Sequence, residues 1–266
     1  MKTQVLAVPK EQADDPFYIG HRLLQRGDVT IEIPLTEADF LHPQEEDRFL
    51  LTDAHSRAVV YLQHAIEFAH RGEAGVRVFV DHRVDWQTGT VLPMGPDVIA
   101  FGKFLTEWDP YCGTLPVANL GVEPCLVAEV TSPSTRHIDV GMKPDLYHLA
   151  RVPFFLIFDL CPTDREEPRL LAYRANRQGY VEMKENPEYG VWVPTVEMWF
   201  KFDGDQVVAH TAKKERIPDY DVLAQRLDEQ TARADVEKAR ADQLAKELAE
   251  LRAKLTNPPT KKNGHK

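Results

Sequence analysis

Cys125 to Leu160 reads CLVAEVTSPSTRHIDVGMKPDLYHLARVPFFLIFDL, and its pattern decides the fold. "CLVAEV" and "FFLIFDL" are nearly continuous apolar runs of strand length, the form taken by strands buried on both faces. Between them, "DVGMKPDLYHLARV" has the length of a helix. Strand, helix and strand in that order predict a right-handed crossover between parallel strands, and hence an α/β sheet. One residue breaks the pattern: Glu129 stands inside the first run, where an apolar side chain is expected.

The anomaly repeats upstream in "MGPDVIAFG", Met94 to Gly102, where Asp97 follows Pro96 and opens the strand-like "DVIAF". Both carboxylates fall near strand ends, so if the two strands are neighbours the carboxylates converge. Two close anions repel, and burying either without a partner costs several kcal/mol. A positive partner is therefore expected, and Mg²⁺ suits the position because it takes oxygen ligands from one or two carboxylates, keeps waters and completes its shell with phosphate. Taken singly, each residue has a plainer explanation: Asp97 as a turn cap after Pro96, Glu129 on an exposed edge or paired with Arg136. Their neighbours shift the balance, since Ser132, Thr135, Arg136, His137 and Lys143 follow closely.

Working outward, residues 1–34 carry Pro, Gly and charge without a clear period and are expected to form an irregular N-terminal arm. "LTEADFLHPQEEDRFLL" suggests short helical pieces. "TDAHSRAVVYLQHAIEFAHRG" predicts a strong helix, capped by Thr52 or Asp53, with Val59, Leu62, Ile66 and Ala69 at helical spacing and Gly72 at its end. "VRVFVDHRV", "RLLAYRA" and "YVEMK" read as strands, the last two around the turn "NRQG". "EMWFKFDGDQVVAH" reads as a hairpin turning at Asp203-Gly204. The excursion from Lys103 to Pro124 has the length of a functional loop.

From about Tyr220 the composition changes. Leu223, Leu227, Gln230, Ala234, Glu237, Ala241, Leu244, Leu248, Leu251 and Leu255 follow alternating steps of four and three, the seam of a coiled coil. Gln230 and Glu237 are poor seam residues, and a single solvated helix rich in Ala, Glu, Lys and Arg is the alternative. Pro258-Pro259 ends the helix before a basic tip, "TKKNGHK". The expected organisation is an arm over 1–34, one α/β domain over 35–218, a coiled-coil helix over 219–257 and a disordered tail over 258–266.

Composition sets the outer bounds. Three widely spaced cysteines argue against a disulfide framework or a zinc knuckle, and the scattered histidines show no zinc motif, so a metal would need carboxylates. No apolar run is long enough for a membrane span, and the N-terminal apolar stretch is too short for a signal peptide; a cytoplasmic protein is expected. A net charge of -10 disfavours sequence-blind coating of DNA, but a cleft with a few well-placed cations remains compatible with it.

"GPDVIAF", "LVAEVTSPSTRHIDVGMKPDLYHLARVPFFLIFDL" and the Ala/Glu/Arg-rich tail together resemble the Uma-type restriction-endonuclease family of the PD-(D/E)XK nuclease superfamily, over roughly Leu35 to Asp205. The resemblance implies a restriction-endonuclease-like mixed sheet flanked by helices, with the C-terminal helix as an extension. It implies Asp97 and Glu129 as metal ligands for Mg²⁺ or Mn²⁺, and Asp97, Glu129 and Lys143 as the catalytic set. The usual lysine two residues after the acid is absent, because Thr131 stands there; Lys143 matches a lysine moved onto the following helix. Pro144 pushes that lysine into the first helical turn. Tyr147 is expected to pack with a satisfied hydroxyl and His148 to face solvent; His55, at the start of its helix, can approach the same edge as the carboxylates, although capping its helix or lying at the surface is the commoner role.

The expected activity is metal-dependent endonucleolytic hydrolysis of phosphodiesters. The residues point to metal and phosphate, and the resemblance supplies DNA. An RNA nuclease, or a non-catalytic scaffold that recruits a partner through the coiled coil, are the rival readings; a weak homodimer through the seam is the simplest partner.

Overall fold

Two fully buried strands set the centre of the molecule, and everything that positions the carboxylates is built outward from them. The structure, a computed structural model, describes residues 4–256 except 14, 16–17, 73–74, 108 and 165–166. The chain opens with β1 (Gln4–Leu6), α1 (Lys10–Ala13), β2 (Gly20–Arg26), β3 (Val29–Pro34), α2 (Glu37–Leu41) and β4 (Asp47–Phe49). The strands form a sheet of order β1-β3-β2-β4. This corrects the irregular arm expected over 1–34. The β2–β3 hairpin turns at Gly27, whose φ of 62° favours glycine. Most of its side chains are only half-buried, so the alternation that reveals a strand is weak there.

Next come α3 (Asp53–Ala69), β5 (Arg77–Val80), β6 (Arg83–Asp85), β7 (Val98–Phe101), β8 (Thr114–Pro116), α4 (Val117–Leu120) and β9 (Pro124–Val130). Thr52 caps α3 by accepting from the His55 backbone N–H at 3.2 Å. "VRVFVDHRV" is two strands rather than one. The chain breaks at Asp81, φ 50°, so that β5 joins the main sheet while β6 pairs with β8. The crossover follows as α5 (Arg136–Gly141) and α6 (Lys143–Leu149), leading into β10 (Phe154–Asp159). It is two helices where one was expected, broken at Met142. Pro144 in the first turn of α6 has no N–H to continue the helix. The chain ends with β11 (Arg169–Ala175), β12 (Tyr180–Glu182), β13 (Val191–Val193), β14 (Met198–Asp203), β15 (Gln206–Thr211) and α7 (Tyr220–Thr256).

The main sheet has the order β12-β11-β10-β9-β7-β5, with only the β9–β10 pair parallel, as the crossover requires. One face packs Leu126, Ala128, Leu156 and Phe158 against Leu62 and Ile66 of α3 and Met198 and Phe200 of β14. The other packs Ile99, Val127, Phe155 and Ile157 against Trp86, Leu115 and Tyr147. The sheet is thus covered on both sides, which accounts for the unbroken apolar runs in its central strands.

Asp159, at the end of β10 and fully buried, anchors the start of the crossover. It accepts from Arg136 Nε and Nη2, both at 2.8 Å, from Arg169 Nε at 3.1 Å and from Thr131 Oγ1 at 3.1 Å. Burial works to raise its pKa, but Arg136 first, then Thr131 and Arg169, hold it below the usual carboxylate value. Arg136→Ala should therefore cost about 3 kcal/mol at neutral pH, because it leaves a buried carboxylate with only Arg169 and Thr131, among the described residues, to offset it. The folded-state pKa is depressed, so the stabilisation is present at neutral pH and is lost as the pH falls and Asp159 takes a proton. Urea melts of both proteins across pH check this; a loss under about 1 kcal/mol would show the anchor to be dispensable.

Residues 218–266 form a second unit. In the single chain the side chains of Leu227, Leu244, Leu248 and Leu251 are 64, 56, 51 and 58% exposed, so the seam has no cover there. Gln225–Glu229 and Gln243–Glu247 bonds, one turn apart, support α7 as a helix by itself. The Leu255 side chain, Pro258-Pro259 and the basic tip lie outside the described residues. Sedimentation should find weak, concentration-dependent pairing of the full chain and a monomer after truncation at Pro218; two monomers would leave α7 solvated or reserved for another protein.

Candidate functional site

The register of β7 against β9 decides where the two acids meet. Val98 lies opposite Ala128, so Asp97, one residue before, comes opposite Glu129, one residue after. The Asp97 N–H donates to Glu129 Oε2 at 3.3 Å, and Asp97 Oδ2 accepts from the Val130 N–H at 2.7 Å. Lys143, the first residue of α6, places Nζ 2.9 Å from Glu129 Oε2 and 2.8 Å from Asp139 Oδ1. The three side chains singled out in the sequence thus come together, and Asp139 joins them.

The cluster is enclosed. Glu129, Asp139 and Lys143 are 0, 1 and 2% exposed, while the Asp97 side chain keeps 13% of its surface. The Tyr147 hydroxyl donates to Glu129 Oε1 in a short contact, and its ring packs on Phe155 and Trp86. Tyr147 therefore packs as expected, but it also holds a carboxylate oxygen in place. Of the two roles open to His55, the structure shows the approach to the carboxylates and not the commoner cap or surface position: it is buried, and its Nε2 lies 3.2 Å from Asp97 Oδ2. The signal for this was its spacing, four residues ahead of Val59 on the buried stripe of α3. Arg136 is committed to Asp159 rather than Glu129, and His148 turns to the Asn176 carbonyl at 2.9 Å.

Charge explains the electrostatics. Burial lifts the Glu129 carboxyl well above its ordinary value against the pull of Lys143, and Asp97 and Asp139 push it further up. Burial likewise carries Asp139 to about 6 despite Lys143. Burial works to raise Asp97 too, but His55, then Lys143 and the Val130 N–H, hold it below the usual range. Burial opposes the charge on Lys143, yet Asp139, Glu129 and Asp97 raise its pKa and keep it an ammonium. Its contacts are ion pairs by distance, without an aligned hydrogen bond.

Helix α2 and the loop after it roof this site. The Phe40 ring of α2 lies over Lys143 Nζ at 4.6 Å to the centroid. Arg22 clamps α2 to β4, at 2.8 Å from Asp39 and 2.6 Å from Asp47. His42 Nδ1 lies 2.9 Å from the Pro93 carbonyl. A Cβ on Gly95 would meet Pro43 at 2.9 Å, so only glycine lets the roof sit against the segment leading into Asp97. Among the described residues, no three His, Cys, Asp or Glu side chains form a group able to hold a metal by themselves. No helix among them is long and apolar enough to cross a membrane.

Comparison with known proteins bears on the chemistry. No curated protein matches the chain. A solved structure described as a "putative nuclease belonging to DUF820", from Anabaena variabilis, is similar at 16% identity over 62% of this chain and 86% of that one, with a TM-score of 0.42. The model of the Uma2 family, described as "Putative restriction endonuclease", matches residues 50–203, which include Asp97, Glu129, Asp139, Lys143 and Tyr147. That match spans more than half of the sequence: the chain belongs to the Uma2 family of restriction-endonuclease-like proteins.

Proposed function

We propose that the chain hydrolyses phosphodiester bonds in nucleic acid, DNA first, using Mg²⁺ or Mn²⁺ held by Asp97 and Glu129 with Lys143 as the protein's own cation. The observation that carries this reading is the meeting of Asp97, Glu129 and the Lys143 ammonium at adjoining strand ends, in a chain of this family. The donor set suits a hard cation. Among the described residues Asp97 Oδ1 accepts no hydrogen bond, and Glu129 Oε1 accepts only from Tyr147, so each carboxylate keeps a free lone pair. Three carboxylates against one ammonium leave an excess of negative charge, two when His55 is neutral and one when it is protonated, which a divalent ion offsets.

When bound, the cation would polarise the phosphate and lower the pKa of a bound water. The chain's residues prepare for this. His55 and the Val130 N–H keep Asp97 charged, and Tyr147 fixes one oxygen of Glu129. Lys143 has N–H donors that no aligned hydrogen bond occupies, and a buried ammonium of this kind can orient water or offset charge developing on phosphoryl oxygen. The enclosed site strengthens every one of these charges relative to water.

Asp97→Asn and Glu129→Gln should each lower divalent-dependent cleavage by about a hundredfold or more while the fold survives, since each removes a ligand charge. The assay runs duplex DNA, single strands and RNA side by side, with circular dichroism on each variant. If either variant cleaves like wild type, the metal-site reading fails; cleavage of RNA alone would move the substrate, not the site.

Proton linkage gives a test that needs no substrate. Glu129 holds its proton at higher pH in the folded, metal-free protein than a free carboxylate does, and a cation binds the deprotonated form. Mn²⁺ binding should therefore release protons and weaken as the pH falls and Glu129 takes up its proton. Calorimetry in buffers of different ionisation enthalpy measures both; binding with no proton release would place the ion elsewhere.

A further inference from the structure

Lys143 begins its helix, with a break before it and a proline after it, so the backbone alone gives its long side chain no fixed aim. Something else must set it. Glu129 contacts the ammonium from β9 and the Phe40 ring covers it from α2. The remaining neighbour is Asp139, four residues earlier on α5 and almost fully buried, with Oδ1 2.8 Å from Nζ. Its other oxygen, Oδ2, accepts from Thr135 Oγ1 at 3.3 Å. Thr135 Oγ1 lies 2.9 Å from Ser132 Oγ, which lies 3.3 Å from Ser134 Oγ.

We propose that Asp139 is the positioning residue for Lys143, and that the hydroxyls of Ser132 and Thr135 serve to hold Asp139. The proposal rests on the reading of Lys143 as the site's own cation. It accounts for the polar run "SPST", whose hydroxyls the metal chemistry does not use. The strand that would fix a lysine two residues after Glu129 is replaced here by a carboxylate on the preceding helix, reached across the Met142 break. Asp139 is assigned to the ammonium because its side-chain contacts among the described residues are Lys143 and Thr135.

The test observes the ammonium directly, in full-length metal-free protein labelled with ¹⁵N-lysine. A caged, ion-paired ammonium exchanges slowly, so one protected Lys Nζ signal should persist at neutral pH and disappear in Lys143→Arg. Asp139→Asn should abolish or shift that signal, Asp139→Glu should restore it in part, and Thr135→Val should give the same change in smaller measure. With Mg²⁺ and duplex DNA, Asp139→Asn should lower kcat by about tenfold to a hundredfold, leaving KM and metal affinity within about twofold. A wild-type protein with no protected lysine signal, or an Asp139→Asn protein that keeps it, overturns the proposal. If Asp139→Asn does not fold, Thr135→Val decides: an unchanged signal overturns the proposal and a shifted one supports it. If wild type cleaves nothing, the nuclease reading fails, while the ammonium signal still decides the role of Asp139.

Discussion

The structure depends on keeping one ammonium charged in a place shut off from bulk solvent. Lys143 is shut between Glu129, Asp139 and the face of Phe40, and a lone ammonium so buried would give up its proton. The surrounding carboxylates prevent that, and the dependence runs both ways. Without Lys143, the register of β7 on β9 would press Asp97 and Glu129 together with only His55 to offset them. The ladder that makes the sheet also makes the repulsion, and the crossover that covers the sheet brings the charge that relieves it.

This mutual need shows what the sequence could reveal. The β9–crossover–β10 unit was legible because its apolar runs are continuous, and Asp97 and Glu129 stood out as carboxylates in runs that exclude charge. Lys143 required the family resemblance, since helix and loop lysines are common and nothing local marks this one. The place of His55 beside the carboxylates ranked second, because a polar residue in the first turn of a helix so often serves as a cap. Here Thr52 takes that part, accepting from the His55 N–H, and the His55 ring goes to Asp97. Asp139 gave no signal of its own, as an acid four residues before a lysine is the usual form of a solvent-facing helical pair. Only burial separates the two cases. The N-terminal sheet was hidden for another reason: half-buried strands lack the strict alternation on which strand reading relies.

Helix α2 and the loop after it extend the site beyond the family match, which begins at residue 50. Phe40 lies before it yet touches Lys143, and Pro43 rests on the segment that delivers Asp97. The roof is fastened by Arg22 between Asp39 and Asp47 and by the apolar contact of Ile19 and Leu41 with Ile138 of α5. A ring over an ammonium excludes water while leaving the charge in place, whereas a hydroxyl or carboxylate there would compete for its protons.

The compactness of the crossover also governs how such a chain can change over generations. Glu129, Asp139, Lys143 and Tyr147 all fall within one strand and the two short helices after it. The last three follow at intervals of four residues, so an inserted or deleted residue among them would turn at least one away from Glu129. The flanking loops have no such constraint. Length variation among descendants of this chain should therefore collect outside the crossover, and a search for kin is better guided by the spacing E-x₉-D-x₃-K-x₃-Y than by the short E-x-K motif, which this sequence does not contain at Glu129.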